Sequence, residues 1–275
     1  METLVSGYGL IEGPRVDARG NLHFSDVTNG GVYRRAPDGQ IETVVPRRRG
    51  VGGIALHADG GLVISGRNIC HVRDGETRVL LEMEGVPGFN DLYTDQQGRV
   101  YTGSMRTDPF GGSEPRTPGE MYRIEAEGRA VELYGDVSLT NGIGFSPDGQ
   151  RLYHSDSARQ HIIVHDITPD ATAKNRRVFA QLERGSPDGL AVDEEGGVWT
   201  AAVGAGCVMR FDSDGVFDRS VEVPARTVTS LCFGADDPRD LYIATADNTQ
   251  DPELKGCIFR LRESVAGLRA PEARI

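Results

Sequence analysis

The chain has 275 residues, 38% of them hydrophobic and 26% charged, which suits a globular domain with a sizeable core rather than a disordered or fibrous chain. Asp plus Glu number 41 against 30 for Lys plus Arg, a formal charge of −11, so neither nucleic acid nor an anionic membrane is expected as the main partner. No apolar stretch approaches the roughly 20 residues of a membrane helix, Met1 to Pro14 lack a signal-peptide pattern, and Cys70, Cys207, Cys232 and Cys257 form no CxxC pair, so buried thiols and a cytoplasmic location are expected.

The 36 glycines, against 14 prolines, point to many tight turns and therefore many short strands. In chain order one pattern recurs: an apolar pair, an acidic turn ending in glycine, then an alternating strand. It reads VDARGNLHFSD at 16–26, LHADGGLVISG at 56–66, YTDQQGRVYTGS at 93–104, FSPDGQRLYHSD at 145–156 and VDEEGGVWTA at 192–201. A less regular copy is FGADDPRDLYIAT at 233–245. The turn glycines Gly20, Gly60, Gly98, Gly149 and Gly196 lie 40, 38, 51 and 47 residues apart, a mean of 44, so the chain holds about six units. Each unit carries further apolar stretches that supply outer strands, such as GGVYRRAP at 30–37 then QIETVV at 40–45, or CVMRFD at 207–212 then RSVEVP at 219–224. Helical periodicity is poor throughout. The tail from Leu261 to Ile275 is the exception and reads as a loose end. With no break in composition, the spacing predicts one all-β domain over 1–275, a six-bladed β-propeller; an irregular sandwich is the alternative, disfavoured by the repeat.

In a propeller the innermost strand of each blade runs along the central channel, so equivalent positions form a ring. Counting back eight residues from each turn glycine gives Glu12, Gly52, Asn90, Asn141 and Asp188, and matching TSLCF to DGLAV adds Thr229. Four of these six are carboxylates or carboxamides. Oxygen donors without His or Cys favour a hard divalent cation on the axis, calcium first, with magnesium or manganese as alternatives. Such an ion would also relieve repulsion between facing carboxylates. Asn141-Gly142 and Asp188-Gly189 are common hairpin dipeptides. Here, however, each precedes an apolar stretch leading to a separate turn, which puts it at a strand start.

These segments resemble the SMP-30/gluconolactonase family. The resemblance covers nearly the whole chain and rests on IEGP at 11–14, FND at 89–91, GRVYTGSM at 98–105, TNGIGFSPDGQRLYHSDS at 140–157, SPDGLAVDEEGGVWTA at 186–201 and TSLCFG at 229–234. It implies a six-bladed propeller with one catalytic divalent metal on the axis, held by Glu12, Asn141 and Asp188, with Asn90 beside it contacting substrate or water. Calcium is expected, with manganese, magnesium, zinc or iron as alternatives. The chain departs from the family where sugar-lactone members often carry an Arg: this position is Gly88. The family's acidic substrate contact falls near Asp108. The aromatic residue that follows the family's first proline is replaced by Arg15 and Val16.

The expected activity is hydrolysis of a small-molecule lactone, with Asp188 as general base and Asn90 orienting water or substrate. The loop-like segment 106–119 is read as a lid, through which Arg106, Asp108 and Arg116 tune substrate choice. Arg47-Arg48-Arg49 reads as a solvated face, or else as an attractor of anionic substrate near Gly52. His154 follows a strand of the fourth unit and either reaches the channel or packs. There is no GxSxG, P-loop or HExxH motif. The competing readings are an esterase or phosphotriesterase using a similar metal, and a calcium- or ligand-binding propeller without turnover.

Overall fold

The computed structural model describes residues 1–108, 116–247 and 255–275. Their strands form six four-stranded antiparallel sheets, arranged as the blades of a propeller. The innermost strands are Ile11–Val16, Ile54–Leu56, Gly88–Thr94, Thr140–Phe145, Ser186–Val192 and Val228–Phe233, one per blade and numbered here as blades 1 to 6. Five blades are consecutive in sequence. Blade 6 takes its outermost strand, Glu2–Tyr8, from the start of the chain, which pairs with Gly256–Arg262 and closes the ring.

The repeated turn has a local cause. Gly20, Gly60, Gly98, Gly149 and Gly196 all have φ between 70° and 91°, a region open to glycine. Their amides bond to Asp17, His57, Asp95, Ser146 and Asp193 oxygens at 2.8–3.0 Å. In three of these turns the leading aspartate locks the loop. Asp17, Asp95 and Asp193 each accept two later backbone N–H groups on Oδ1.

The core is divided. Six apolar clusters each lie mainly between neighbouring blades, such as Val32, Val51, Ile54 and Ile64 between blades 1 and 2, or Trp199, Val228, Leu231 and Phe233 between blades 5 and 6. Because burial happens between blades, the axis itself is left for polar side chains. Asp193 anchors Trp199 by accepting its Nε1–H at 2.7 Å, and also pairs with Arg210 at 2.8 Å.

The tail is not a loose end. It crosses the face of the propeller where the inner strands finish. Gly267 N bonds Pro238 O at 2.7 Å, Leu268 N bonds Val192 O at 2.9 Å, Ala273 N bonds Leu56 O at 2.7 Å and Arg274 N bonds Gly98 O at 2.8 Å. The strap thus touches four blades, and Leu268, Ala270 and Pro271 cover that end of the channel beside Arg15, Tyr93 and Cys232. Extended backbone pairing, rather than helix, absorbs its polar groups. Among the described residues no helix is long and apolar enough to cross a membrane.

Candidate active site

The six ring positions lie at the opposite end, where the inner strands begin. In five blades the pairing of the inner strand slips by one residue at this point, between Glu12 and Arg15, Phe89 and Leu92, Thr140 and Ile143, Pro187 and Leu190, and Val228 and Ser230. A bulge re-aims a side chain that regular alternation would send into the packing between blades. Buried hydroxyls on the second strands bond carbonyls near the bulge: Thr102 to Asp91 O at 3.0 Å and Thr200 to Gly189 O at 3.2 Å. Asn141-Gly142 and Asp188-Gly189 are therefore bulges inside strands. A Cβ on Gly142 would meet Leu190 N at 2.4 Å, and one on Gly189 would meet Ser230 Oγ at 2.2 Å, so both glycines let the next blade approach.

Glu12, Asn90, Asn141, Asp188 and Thr229 line one cavity of about 610 Å³, with Met105, Leu139, Ser157 and Arg116 on its wall. The carboxamides are tied by their nitrogens. Asn90 Nδ2 donates to Thr140 O at 2.8 Å and to Asn141 Oδ1 at 2.7 Å, and Asn141 Nδ2 donates to Ser157 Oγ at 2.8 Å. Thr229 Oγ1 donates to Ile11 O at 2.6 Å. Among the described residues Asp188 Oδ1 is buried without a hydrogen-bond partner. The polar groups left facing the ring are oxygen acceptors.

Below the ring the channel holds Asp91 and Arg15. Exposure is 8% for Glu12 and Asp188, 5% for Asp91 and 6% for Arg15. Arg15 Nη2 lies 3.9 Å from Asp91 Oδ1, while Nη1 donates to Pro14 O at 2.7 Å and Nη2 to Leu92 O at 3.1 Å. Burial, then the charges of Asp188 and Asp91, push the Glu12 carboxyl well above its ordinary range. Burial and Asp91 do the same to Asp188. Burial raises Asp91 to about 6, against the opposing pull of Arg15 and the Leu92 N–H. Were all three carboxyls ionised beside the Arg15 guanidinium, two negative charges would stand uncompensated, and a dication would balance them.

The donor chemistry fits such an ion. It needs oxygen lone pairs left open: among the described residues Asp188 Oδ1 has no partner, and Asn141 Oδ1 keeps a second lone pair beyond the bond from Asn90 Nδ2. Among the described residues no group of three or more His, Cys, Asp or Glu forms a metal-holding cluster, so this donor set is mixed carboxylate and carboxamide.

The other predicted residues fall elsewhere. Arg106 is locked on Glu120 through Nε and Nη2 at 3.0 Å and bonds Gly85 O at 3.2 Å; Arg116 lines the cavity in its place. Asp108 is exposed, and 109–115, the middle of the expected lid, lie outside the described residues. Arg48 is held by Ser65 O and by Asn68 Oδ1 at 2.7 Å, while Gly50 reaches the cavity wall. His154 packs fully buried between Tyr134 Oη at 3.1 Å and Thr140 Oγ1 at 2.7 Å. A Cβ on Gly88 would meet Gly66 O at 3.1 Å and Met105 Cε at 3.5 Å, so the backbone of the neighbouring blade crowds this position. Sequence reasoning passed over Asp91, Ser157 and the channel role of Arg15. The signals were present in the acid after Asn90, the serine closing HSDS and the arginine standing where an aromatic was expected.

Residues 10–247 match the family described as the SMP-30/gluconolactonase/LRE-like region. The chain is 31% identical over 267 residues to a 6-deoxy-6-sulfogluconolactonase of Pseudomonas putida, with 91% of this chain and 89% of that protein covered. It is 30% identical over 274 residues to a pentonolactonase of Haloferax volcanii, with 92% and 89% covered. Among solved structures, a calcium-binding protein, regucalcin, of Agrobacterium tumefaciens superposes with a TM-score of 0.86 at 25% identity, over 99% of this chain and 97% of that one.

Proposed function

The chain belongs to the SMP-30/gluconolactonase/LRE-like family, and on that footing we propose that it is a metal-dependent lactonase acting at the axial cavity. One observation carries the reading: among the described residues the ring turns oxygen acceptors toward the cavity, with the buried carboxylates of Glu12, Asp91 and Asp188 set together beside the Arg15 guanidinium. Glu12, Asn141 and Asp188 would hold a divalent cation. Calcium is the first choice for hard oxygen donors, and manganese, magnesium, zinc or iron(II) accept the same set. When bound, such an ion supplies Lewis-acid polarisation of the lactone carbonyl and acidifies water.

The chain's own groups do the rest. Asp188 has a second carboxylate oxygen besides the Oδ1 that would be given to the ion, and through it accepts a proton from water as the water oxygen adds to the carbonyl carbon. The bond from the carbonyl carbon to the ring oxygen then breaks. The proton passes to the departing ring oxygen, leaving an open-chain hydroxy acid. Asn90, with both N–H groups engaged, serves as an acceptor that orients the attacking water. Arg106 serves Glu120, and Arg116 stands on the cavity wall.

A pH-indicator assay on chelator-stripped protein tests the reading. Glucono-, galactono- and xylono-lactones are compared with aliphatic lactones, and each metal is restored separately. Hydrolysis that returns with metal supports it. Metal binding without hydrolysis of any lactone overturns it in favour of a binding propeller. Gly88 gives a second reading some weight, because no side chain stands there to grip sugar hydroxyls; preference for aryl esters or phosphotriesters over every lactone would establish it.

A further inference from the structure

The Asn141 carboxamide can present either its oxygen or its nitrogen to the axis, and only the oxygen can bind a cation. What decides between them is a residue on the neighbouring connection. Ser157 opens the short turn Ser157–Arg159 that follows the second strand of blade 4. Its backbone is seated by the bond from Ser157 N to Leu139 O at 3.0 Å. The side chain is buried and lines the axial cavity. Its Oγ lies 2.5 Å from Pro187 O and 2.8 Å from Asn141 Nδ2.

A hydroxyl has one proton. Pro187 O is a backbone carbonyl and can only accept, so that proton goes to it. Toward Asn141 the serine then offers lone pairs alone. Asn141 must turn its NH₂ to Ser157, and its Oδ1 to the ring. The reversed carboxamide would set two acceptors against each other at Ser157 and would face the Asn90 amide with another amide. Pro187 directly precedes Asp188, so the same hydroxyl also ties the Asn141 strand to the Asp188 strand across the boundary between blades 4 and 5.

We propose that Ser157 is a positioning residue for the axial site: its hydroxyl fixes the orientation of the Asn141 carboxamide and so makes Oδ1 available as a metal ligand. The inference rests on the lactonase reading for the identity of the ligand held at Asn141. Removing a group that orients a ligand typically costs about 10- to 100-fold in metal affinity.

The test is calcium titration calorimetry on the full chain, beside thermal unfolding of each metal-free variant. Ser157→Ala removes the hydroxyl. Ser157→Cys keeps a similar volume with a weak hydrogen-bonding group, and guards against collapse at the site. Ser157→Thr keeps the hydroxyl. The expected result is calcium affinity weaker by about 10- to 100-fold in Ser157→Ala and Ser157→Cys, and restored in Ser157→Thr. A lowered melting temperature with unchanged calcium affinity in Ser157→Ala and Ser157→Cys would overturn the inference, leaving the hydroxyl a purely structural tie. If the unaltered chain bound neither calcium nor any other divalent ion, the lactonase reading would fall and this inference with it.

Discussion

The Oδ1 of Asn90 lies 2.0 Å from the point where a Cβ on Gly52 would stand. The one ring position without a side chain is therefore the space into which the neighbouring carboxamide fits. Gly52 does not need glycine for its backbone angles, since it is not among the positive-φ residues. A methyl group there acts by displacing Asn90. Gly52→Ala is expected to lower kcat/KM for lactone hydrolysis by about tenfold or more, a loss comparable to misplacing a positioned group. Steady-state kinetics beside a circular-dichroism melt will check it; kcat/KM within twofold of the unaltered protein would sink the idea.

Asp188 stands at the centre of the proposed chemistry. Asp188→Ala is expected to reduce turnover by roughly 10²- to 10⁴-fold, the range for loss of a general base, with the fold retained. Metal-free Asp188→Ala should melt no lower than the parent, because it removes a desolvated carboxylate that Asp91 repels. Substantial residual turnover removes Asp188 from the mechanism.

His154 predicts a pH effect on stability. Burial lowers its imidazole to about 3, with the charges of His165 and Arg176 as smaller causes. Unfolded, it would titrate near the usual ~6.5. The native state thus binds fewer protons than the unfolded state, so its contribution to stability is lost as pH falls through the unfolded value toward about 3. His154→Gln keeps a donor and an acceptor for Tyr134 and Thr140 without this penalty. Its stability relative to the parent should rise steadily between about pH 7 and pH 4. Urea unfolding of both proteins across that range is the check, and a constant difference would contradict it.

The strap across the far face gives a stability prediction. Ala273 is fully buried in the cluster that holds Val63, Leu80 and Phe89, and its amide bonds Leu56. Ala273→Asp places a carboxylate among these side chains and is expected to destabilise by about 3 kcal/mol or more. Denaturant titration measures it. A change under about 0.5 kcal/mol, the level of a neutral surface substitution, would mean that the strap does not hold the blades.

The ring was legible because turn glycines mark blades 1 to 5 and, in blades 1, 3, 4 and 5, the residue eight positions before the glycine stands at a bulge. That distance picks out Glu12, Asn90, Asn141 and Asp188, and the bulges explain why: they lie at one height in five inner strands. What escaped was whatever depends on the far side of a bulge. Asp91 follows Asn90, yet it points into the channel toward Arg15, a direction that simple alternation would not assign. Ser157 escaped because its partners, Asn141 and Pro187, come from two different strands. Arg106 looked available in a loop-like stretch, but its partner Glu120 stands across the strand pair. The tail looked loose because its partners are backbone groups of distant blades, which carry no sequence signature.

The central claim is that the axial ring is a dication centre. Anomalous scattering from manganese-soaked crystals, repeated with calcium, locates the ion directly. The expected result is one strong peak on the axis, within about 2.0–2.6 Å of oxygens from Glu12, Asn141 and Asp188, in crystals whose protein hydrolyses lactone only when metal is present. An ion bound elsewhere, or an empty axis in a preparation that remains fully active after chelation, would contradict it.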